Sequence, residues 1–444
     1  MKIDSKFVLV ALLTIHLLIL VNLGFTAWPE MLSFPYLYNN SYKLYGDLVH
    51  PYPPLLTLTL SLIYKIFGYK ILVLQVFTWT MILINDLLIY AIVFKLTKRK
   101  LAGVFALVFY VLLQPALDGN QLWFDFALTM PLLLGLLSLL YKKYFLTGVF
   151  LSIAVLTKQT GIFFLAAMVV YLVWQKTNIK TFSLAVVFIL GSFILWLGLT
   201  NQLQWFIDWV VYYPSMYWTN FPGYVQMQVS NRQLAIIFLA ALPLLFIIKS
   251  FFTQKQHLLV SIFCLAGIIS VYPRFSFFHF QTALVFLAIA AGLAYKSIKK
   301  LSIIILVLML LILPLYRSVW QKPTRFFSKQ DLELAGKIAL QSGPKEKIYL
   351  TSLSSNLYVL ADKLPTKPWF DNYGWYFEIP NVQTKVIARW EMDYPQKIYI
   401  ASPEEGNWFD IGVYQPELVM NWVYKNYEKS GELADNIQIW QKKD

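Results

Sequence analysis

The sequence predicts an α-helical polytopic membrane protein with about eleven transmembrane helices and a small extracytoplasmic α/β domain at the C-terminus. Three observations lead there. The 444 residues are 58% hydrophobic and 14% charged, with a mean hydropathy of +0.59, whereas a soluble chain carries about 25% charged residues. Apolar runs of near-spanning length recur from residue 7 to residue 316. From about residue 320 onward charged residues become frequent and apolar runs shrink to strand length.

A spanning helix takes about 20 mostly apolar residues, fewer where it tilts or the bilayer thins. On that measure spans fall near 7–27, 70–94, 101–117, 122–141, 144–157, 160–175, 181–203, 233–248, 258–272, 281–295 and 301–316. The first follows MKIDSK, is long and lacks a small-residue cleavage site, so it reads as an uncleaved helix. The fifth and sixth are short and form a broken pair. Between the first two spans, PPLLTLTLSLIYKIFG (53–68) is apolar but too short to cross. It reads as a helix in the outer interface.

Basic residues orient the spans. Lys2, Lys6, KLTKRK (95–100), Lys142, Lys143, Lys176, Lys180, Lys249, Lys255 and KSIKK (296–300) fall on one side, against Lys43, Lys65, Lys70, Lys158, Arg232 and Arg274 on the other. Lysine and arginine collect in cytoplasmic loops, so the N-terminus is cytoplasmic. The loops 28–69 and 204–232 and everything after residue 316 then face outward, from the cell membrane. The net charge of +14 is a consequence of topology. No basic stretch reads as a nucleic-acid module. The single cysteine, Cys264, lies in an apolar run and can form no intrachain disulfide.

The division by composition is a membrane domain over 1–319, with its outer loop 28–69, and an α/β domain over 320–444. In the latter, SKQDLELAGKIALQSG reads as a helix capped by Ser328. KIYLTS (347–352), KIYIAS (397–402) and IQIWQ read as strands, and QTKVIARWEMD and ELVMNWVYKNY as helices. Alternating strands and helices predict a small α/β layer, placed to cap the membrane site or hold an acceptor.

Chemistry concentrates on the outer face. The first outer loop, WPEMLSFPYLYNNSYKLYGDLVHPYPPLL (28–56), carries Glu30, Asp47, His50, Tyr45 and Tyr52 on proline-stiffened backbone. An interfacial carboxylate can be a general base for an acceptor hydroxyl or hold a divalent cation. Glu30 and Asp47 are the candidates for both, and no other cofactor is implied. Lys158 in LTKQTG sits at a membrane boundary, where a lysine snorkels or meets an anion; phosphate is the natural anion. Arg274 and His279 in VYPRFSFFHFQ offer a phosphate fork and a further donor, and Arg232 is a fourth cation. Asp118 and Asp125 in LDGNQLWFDF are close enough in sequence to line the same cleft. Within the membrane, Asp86 with Asn85 reads as an interhelical hydrogen bond and His16 as a core residue with one partner. Asn39-Asn40-Ser41 matches an N-glycosylation pattern.

These stretches resemble a family. A first span, an outer loop opening WPE, the tract LYGDLVHPYPPLL, an interfacial helix ending FG, and later LTKQTG between two short helices resemble the bacterial polytopic glycosyltransferases of the GT-C fold. The branch is the dolichyl-phosphate-mannose-protein mannosyltransferase-like one, to whose broad group the aminoarabinose transferase acting on lipid A belongs. The resemblance covers most of residues 1–320. It implies a polyprenyl-phosphate-linked sugar as donor and inverting transfer outside the cytoplasmic membrane. The family's first-loop acid matches Glu30; where many relatives have Asp-Glu, this chain has Pro29-Glu30, and Asp47 stands in as second carboxylate. The family's lysine at the helix-pair junction matches Lys158, which would meet the lipid phosphate with Arg274 and His279. His50, Tyr45, Tyr52 and the aromatic residues of 204–232, Trp209 among them, would bind the sugar. Membrane lipid is a partner; the acceptor, whether protein, lipid or glycan, is not specified. A transporter or flippase of lipid-linked sugars is the alternative, but the chain shows no internal repeat and its polar residues cluster at the outer face rather than the midplane. A non-catalytic scaffold is a third reading.

Overall fold

Runs of Leu, Ile, Val and Phe without a polar stripe satisfy their backbone as helices and bury every face. The structure, a computed structural model, describes residues 5–443 apart from 222–224, 226, 252, 344–345, 372–373 and 402–415. Lys2, Ser402 and part of the 204–232 loop thus lie outside the described residues. The chain packs into two compact units, the first made of residues up to Thr26, Leu74–Trp196 and Met227–Pro323.

Each of the eleven apolar segments is helical: Ser5–Asn22, Ile71–Thr97, Lys100–Leu113, Phe124–Ala127 with Thr129–Leu140, Tyr144–Thr157, Gly161–Trp174, Ile179–Leu199, Asn231–Ile247, Lys255–Ile269, Gln281–Leu293 and Ile298–Val319. Among the described residues, three stretches are long and apolar enough to cross a membrane by length and composition: Ile71–Thr97, Ile179–Leu199 and the run Gln281–Val319. In that run a 3-10 turn at Ala294–Ser297 stands where the sequence placed a cytoplasmic break. Eleven apolar helical segments are therefore visible rather than eleven full-length crossings.

The basic residues used for orientation also end helices. Lys98, Lys142 and Lys176 take left-handed φ of 59, 57 and 49° within two residues of helix ends. A cation there faces the negative end of the helix dipole. The helix predicted to run to residue 117 stops at Leu113 instead. Pro115–Gly119 forms a π turn broken by Leu117 and Asp118. Gly119 is required in that turn, because a Cβ there would lie 2.1 Å from the Gln114 carbonyl oxygen.

At the centre of this unit, all 13 residues of Gln281–Leu293 are buried. This helix packs on Lys255–Ile269, Lys100–Leu113 and Asn231–Ile247. Gly267 allows the backbones to close up: a Cβ would meet the Ala283 backbone at 2.8 Å. Small residues at helix contacts are the usual device where no hydrophobic effect drives helix association.

The second unit comprises Ala27–Val73, Leu197–Gln226 and Thr324–Asp444. By packing, then, the outer loop and the 197–226 segment join the C-terminal segment that composition alone separates at residue 320. Its sheet has strands β1 (Lys347–Thr351), β2 (Leu364–Pro365), β3 (Lys397–Ala401), β4 (Tyr427–Ala434) and β5 (Ile437–Lys442). The order is β2-β1-β3-β5-β4. β1 is parallel to β2 and β3, and β5 is antiparallel to β3 and β4. The central residues of β1 and β3 are all buried, as continuous apolar strands covered on both faces should be. β4, YEKSGELA, escapes a sequence reading because half of its residues are exposed and it is held by pairing with β5. Ser328 caps Lys329–Gln341 through a reciprocal capping box with Asp331.

The outer loop is itself folded. It holds the helices Glu30–Asn39 and Leu55–Phe67, where only the second was expected. The second buries Leu56, Leu60 and Tyr64 and leaves Leu62, Ile66 and Phe67 exposed. Asn39 joins the two helices, donating to the Ser61 carbonyl at 3.0 Å and accepting from Ser61 Oγ at 2.6 Å. The amide of the glycosylation pattern is thus a structural clamp.

Candidate functional site

In the first unit, three turns far apart in sequence meet on one carboxylate. Asp125 lies in the short helical turn Phe124–Ala127 and is fully buried. Lys158 ends the helix Tyr144–Thr157 in extended backbone (φ −150°, ψ 141°) and so turns its side chain out of the helical path. His279 lies in the turn before Gln281–Leu293, where Thr282 Oγ1 donates to the Asp125 carbonyl at 2.8 Å. Lys158 Nζ donates to both carboxylate oxygens at 2.6 Å, and His279 Nδ1 donates to Oδ2 at 2.7 Å. Two sequence candidates for phosphate binding are thereby brought together, by a carboxylate the sequence offered as a lining residue of the same cleft. The signal that could have found Asp125 is the pattern WFDF opening an apolar helix. A carboxylate there needs a cationic partner.

An ammonium has three protons; Asp125 takes two from Lys158, so the third can serve an anion. A carboxylate accepts only, so Nδ1 of His279 carries its proton. Burial pulls this imidazole below its ordinary pKa; Asp125 pulls it upward, and Lys158 and Arg274 push it down. The field of Arg274 therefore reaches the same group. Arg232 is engaged elsewhere, its Nε donating to the Leu311 carbonyl at 2.9 Å.

The same unit holds a second carboxylate–imidazole contact. His16 Nδ1 meets Asp86 Oδ2 at 2.8 Å, and His16 Nε2 meets Gln114 Oε1 at 3.2 Å. His16 therefore has two partners where one was expected. The contact of Asp86 with His16 is the expected interhelical bond, and Asn85 beside it adds another, donating to Thr129 Oγ1 at 2.7 Å.

In the second unit, Glu30 opens the helix Glu30–Asn39 behind Pro29 and is buried. A carboxylate in a helix first turn is stabilised by the backbone dipoles. Asp47 accepts from Lys367 Nζ at 2.9 Å and from the Lys43 amide at 3.1 Å. Its own carbonyl accepts from Trp369 N at 2.8 Å, and Val49 N donates to Trp369 O at 3.1 Å. Asp47 thus ties the outer loop to the 367–369 segment. His50 is buried between the Tyr52 carbonyl and Thr57 Oγ1, both at 2.7 Å, and burial pushes its pKa down to about 4. Tyr45, at φ 67°, donates to the same Tyr52 carbonyl at 3.1 Å. Trp209 is buried in an aromatic group with Tyr213, Phe370 and Tyr376, at ring-centre distances of 4.8, 5.8 and 5.8 Å. Among the described residues no group of three or more His, Cys, Asp or Glu side chains gathers to hold a metal ion.

No protein-family model matches the chain, and no curated protein matches it in sequence. Solved structures do match in fold. ArnT from Cupriavidus metallidurans in the apo state superposes with a TM-score of 0.61 at 12% identity, over 98% of this chain and 97% of that one. The same protein bound to undecaprenyl phosphate gives 0.58 at 12% identity with the same coverage. The oligosaccharyltransferase of Archaeoglobus fulgidus, in complex with Zn and sulfate, gives 0.51 at 14% identity, over 89% of this chain and 68% of that one. The chain is similar to these proteins in the GT-C fold of membrane glycosyltransferases.

Proposed function

We propose that the chain is a membrane glycosyltransferase that moves a sugar from a polyprenyl-phosphate donor to an acceptor hydroxyl, with inversion, on the outer face of the cytoplasmic membrane. The observation that carries this reading is the fold. The match to ArnT spans 98% of the chain, and one of the matched structures holds undecaprenyl phosphate. The Lys158–Asp125–His279 group supports it, since it holds a lysine ammonium in place with a spare proton for phosphate.

In this reading the polyprenyl tail stays in the bilayer, and the phosphate meets Lys158, Arg274 and His279. Fixed positive charge stabilises the negative charge that develops on a leaving phosphate, more so where water is scarce. Asp125 keeps the lysine amine in place at the cost of part of its charge, and the charge of Arg274 acts on the same group. Glu30 takes the proton of the acceptor hydroxyl as general base. His50, held neutral, and Tyr45 shape the loop, and the Trp209 aromatic group offers apolar faces of the kind sugars stack on. A donor that arrives already activated needs no nucleotide-binding motif, and the chain has none.

The test is transfer from a labelled polyprenyl-phosphate sugar in membranes. Glu30→Gln is expected to lower the rate by about 100-fold or more, the range of a lost general base. Undiminished transfer in Glu30→Gln removes the base assignment, and lipid translocation in vesicles without any transfer removes the enzyme.

A further inference from the structure

Among the groups that touch Asp125, His279 has its side chain 16% exposed, Lys158 9%, and the carboxylate itself none. The Nδ1 edge of the ring is the one held against the buried carboxylate, so the accessible edge is the distal one, which carries Nε2. We propose that Asp125 and His279 form a proton-delivering dyad, in which Nε2 of the protonated imidazole hands a proton to the departing lipid phosphate. This rests on the donor reading above and assigns His279 more than a binding contact.

Lys158 and His279 lean on the same carboxylate, both within 2.7 Å, so an anion that takes the spare lysine proton lies within about one ring width of the imidazole. Asp125 fixes the tautomer: with Nδ1–H donated to it, Nε2 is the free-running position of proton exchange. The charged groups acting on this ring are Asp125, Lys158 and Arg274. Without a ligand, burial and the two cations keep the ring neutral and Nε2 bears a lone pair. An arriving phosphate adds negative charge beside it, favours the imidazolium, and so brings a proton in with it. In the transfer step the anomeric C–O bond breaks and its electron pair stays on the phosphate oxygen, which receives the Nε2 proton. The acceptor oxygen bonds to the anomeric carbon and its proton passes to a general base. The products are the glycoside and polyprenyl hydrogen phosphate; the ring regains its proton from solvent. His279 is the catalytic residue and Asp125 a positioning residue.

The experiment is calorimetric titration of undecaprenyl phosphate into the full-length protein in detergent at pH 8, in two buffers of different ionisation enthalpy. Phosphate monoesters are largely dianionic there, with a second pKa of about 6. The wild type is expected to take up about one proton per lipid bound, with affinity falling up to about tenfold per pH unit above the free-ring pKa. His279→Gln should bind about tenfold more weakly with no proton uptake. Asp125→Asn, which keeps an acceptor for Nδ1, should retain binding with less than about half of that uptake, because the imidazolium loses its counter-charge. Binding without proton uptake in the wild type, or the same uptake in folded His279→Gln, overturns the dyad and leaves the donor reading standing. No binding by the wild type overturns the donor reading itself.

Discussion

The first unit contains two carboxylate–imidazole contacts of nearly the same length, and they differ in what completes them. Asp86 and His16 meet at 2.8 Å with neither side chain exposed, and the far ring nitrogen is taken by the neutral Gln114. Asp125 and His279 meet at 2.7 Å, with a lysine on the carboxylate and part of the ring open. The first is closed on itself: each ring nitrogen has a protein partner. The second carries a cation and an exit for a proton. The same pair of residue types is therefore closed in one place and partly open in the other, and the third partner makes the difference.

Removing Asp125 should have the largest effect. Asp125→Ala leaves the mostly buried ammonium of Lys158 without its counter-charge, which costs about 3–5 kcal/mol. Thermal unfolding in detergent checks this, and a loss no larger than that of Asp86→Ala would break the comparison. A third histidine sharpens it. His50 meets the Tyr52 carbonyl and Thr57 Oγ1, and burial holds it at about 4. The unfolded chain binds this proton below about pH 6.5 while the folded one does not. Stability should thus be flat above that pH and fall by about 3 kcal/mol between pH 6.5 and 4. His50→Asn should flatten this limb in a pH-resolved denaturation series.

Asp86→Ala should cost about 1–3 kcal/mol, the penalty for an orphaned buried donor on His16. It should leave sugar transfer within about threefold of the wild type, an effect of well under 1 kcal/mol on the barrier. A large transfer loss in a stable Asp86→Ala protein would erase the distinction drawn here. The smallest effect is expected at Asp47, whose partner Lys367 has its side chain 35% exposed. Lys367→Met should change stability by about 0.2–1 kcal/mol, less at high salt.

Much of the fold was legible. Eleven apolar segments read as helices are helices because continuous apolar runs leave little choice of backbone. KIYLT and KIYIA are strands because short β-branched and aromatic runs pair well in a covered sheet. The end of the helix before Pro115 and the folded state of residues 30–39 were not legible. Both depend on contacts from elsewhere: Gln281 Nε2 donates to the Gln114 and Leu117 carbonyls across the π turn, and Ser33 meets Ser355 at 3.2 Å. At the site, the residue types and their outer-turn positions could be read. Asp125 as the hub could not, because its two partners lie 33 and 154 residues away.

By itself the sequence determined the membrane character, the helical segments, the strand-rich C-terminal region and a small pool of carboxylates and cations at segment ends. Those follow from hydropathy, periodicity and local capping, which act over a few residues. Only the tertiary structure decided which acid meets which cation. Such partners are chosen by helix packing, where the cost of a lone buried charge forces the nearest opposite one into contact, and no local signal records that choice.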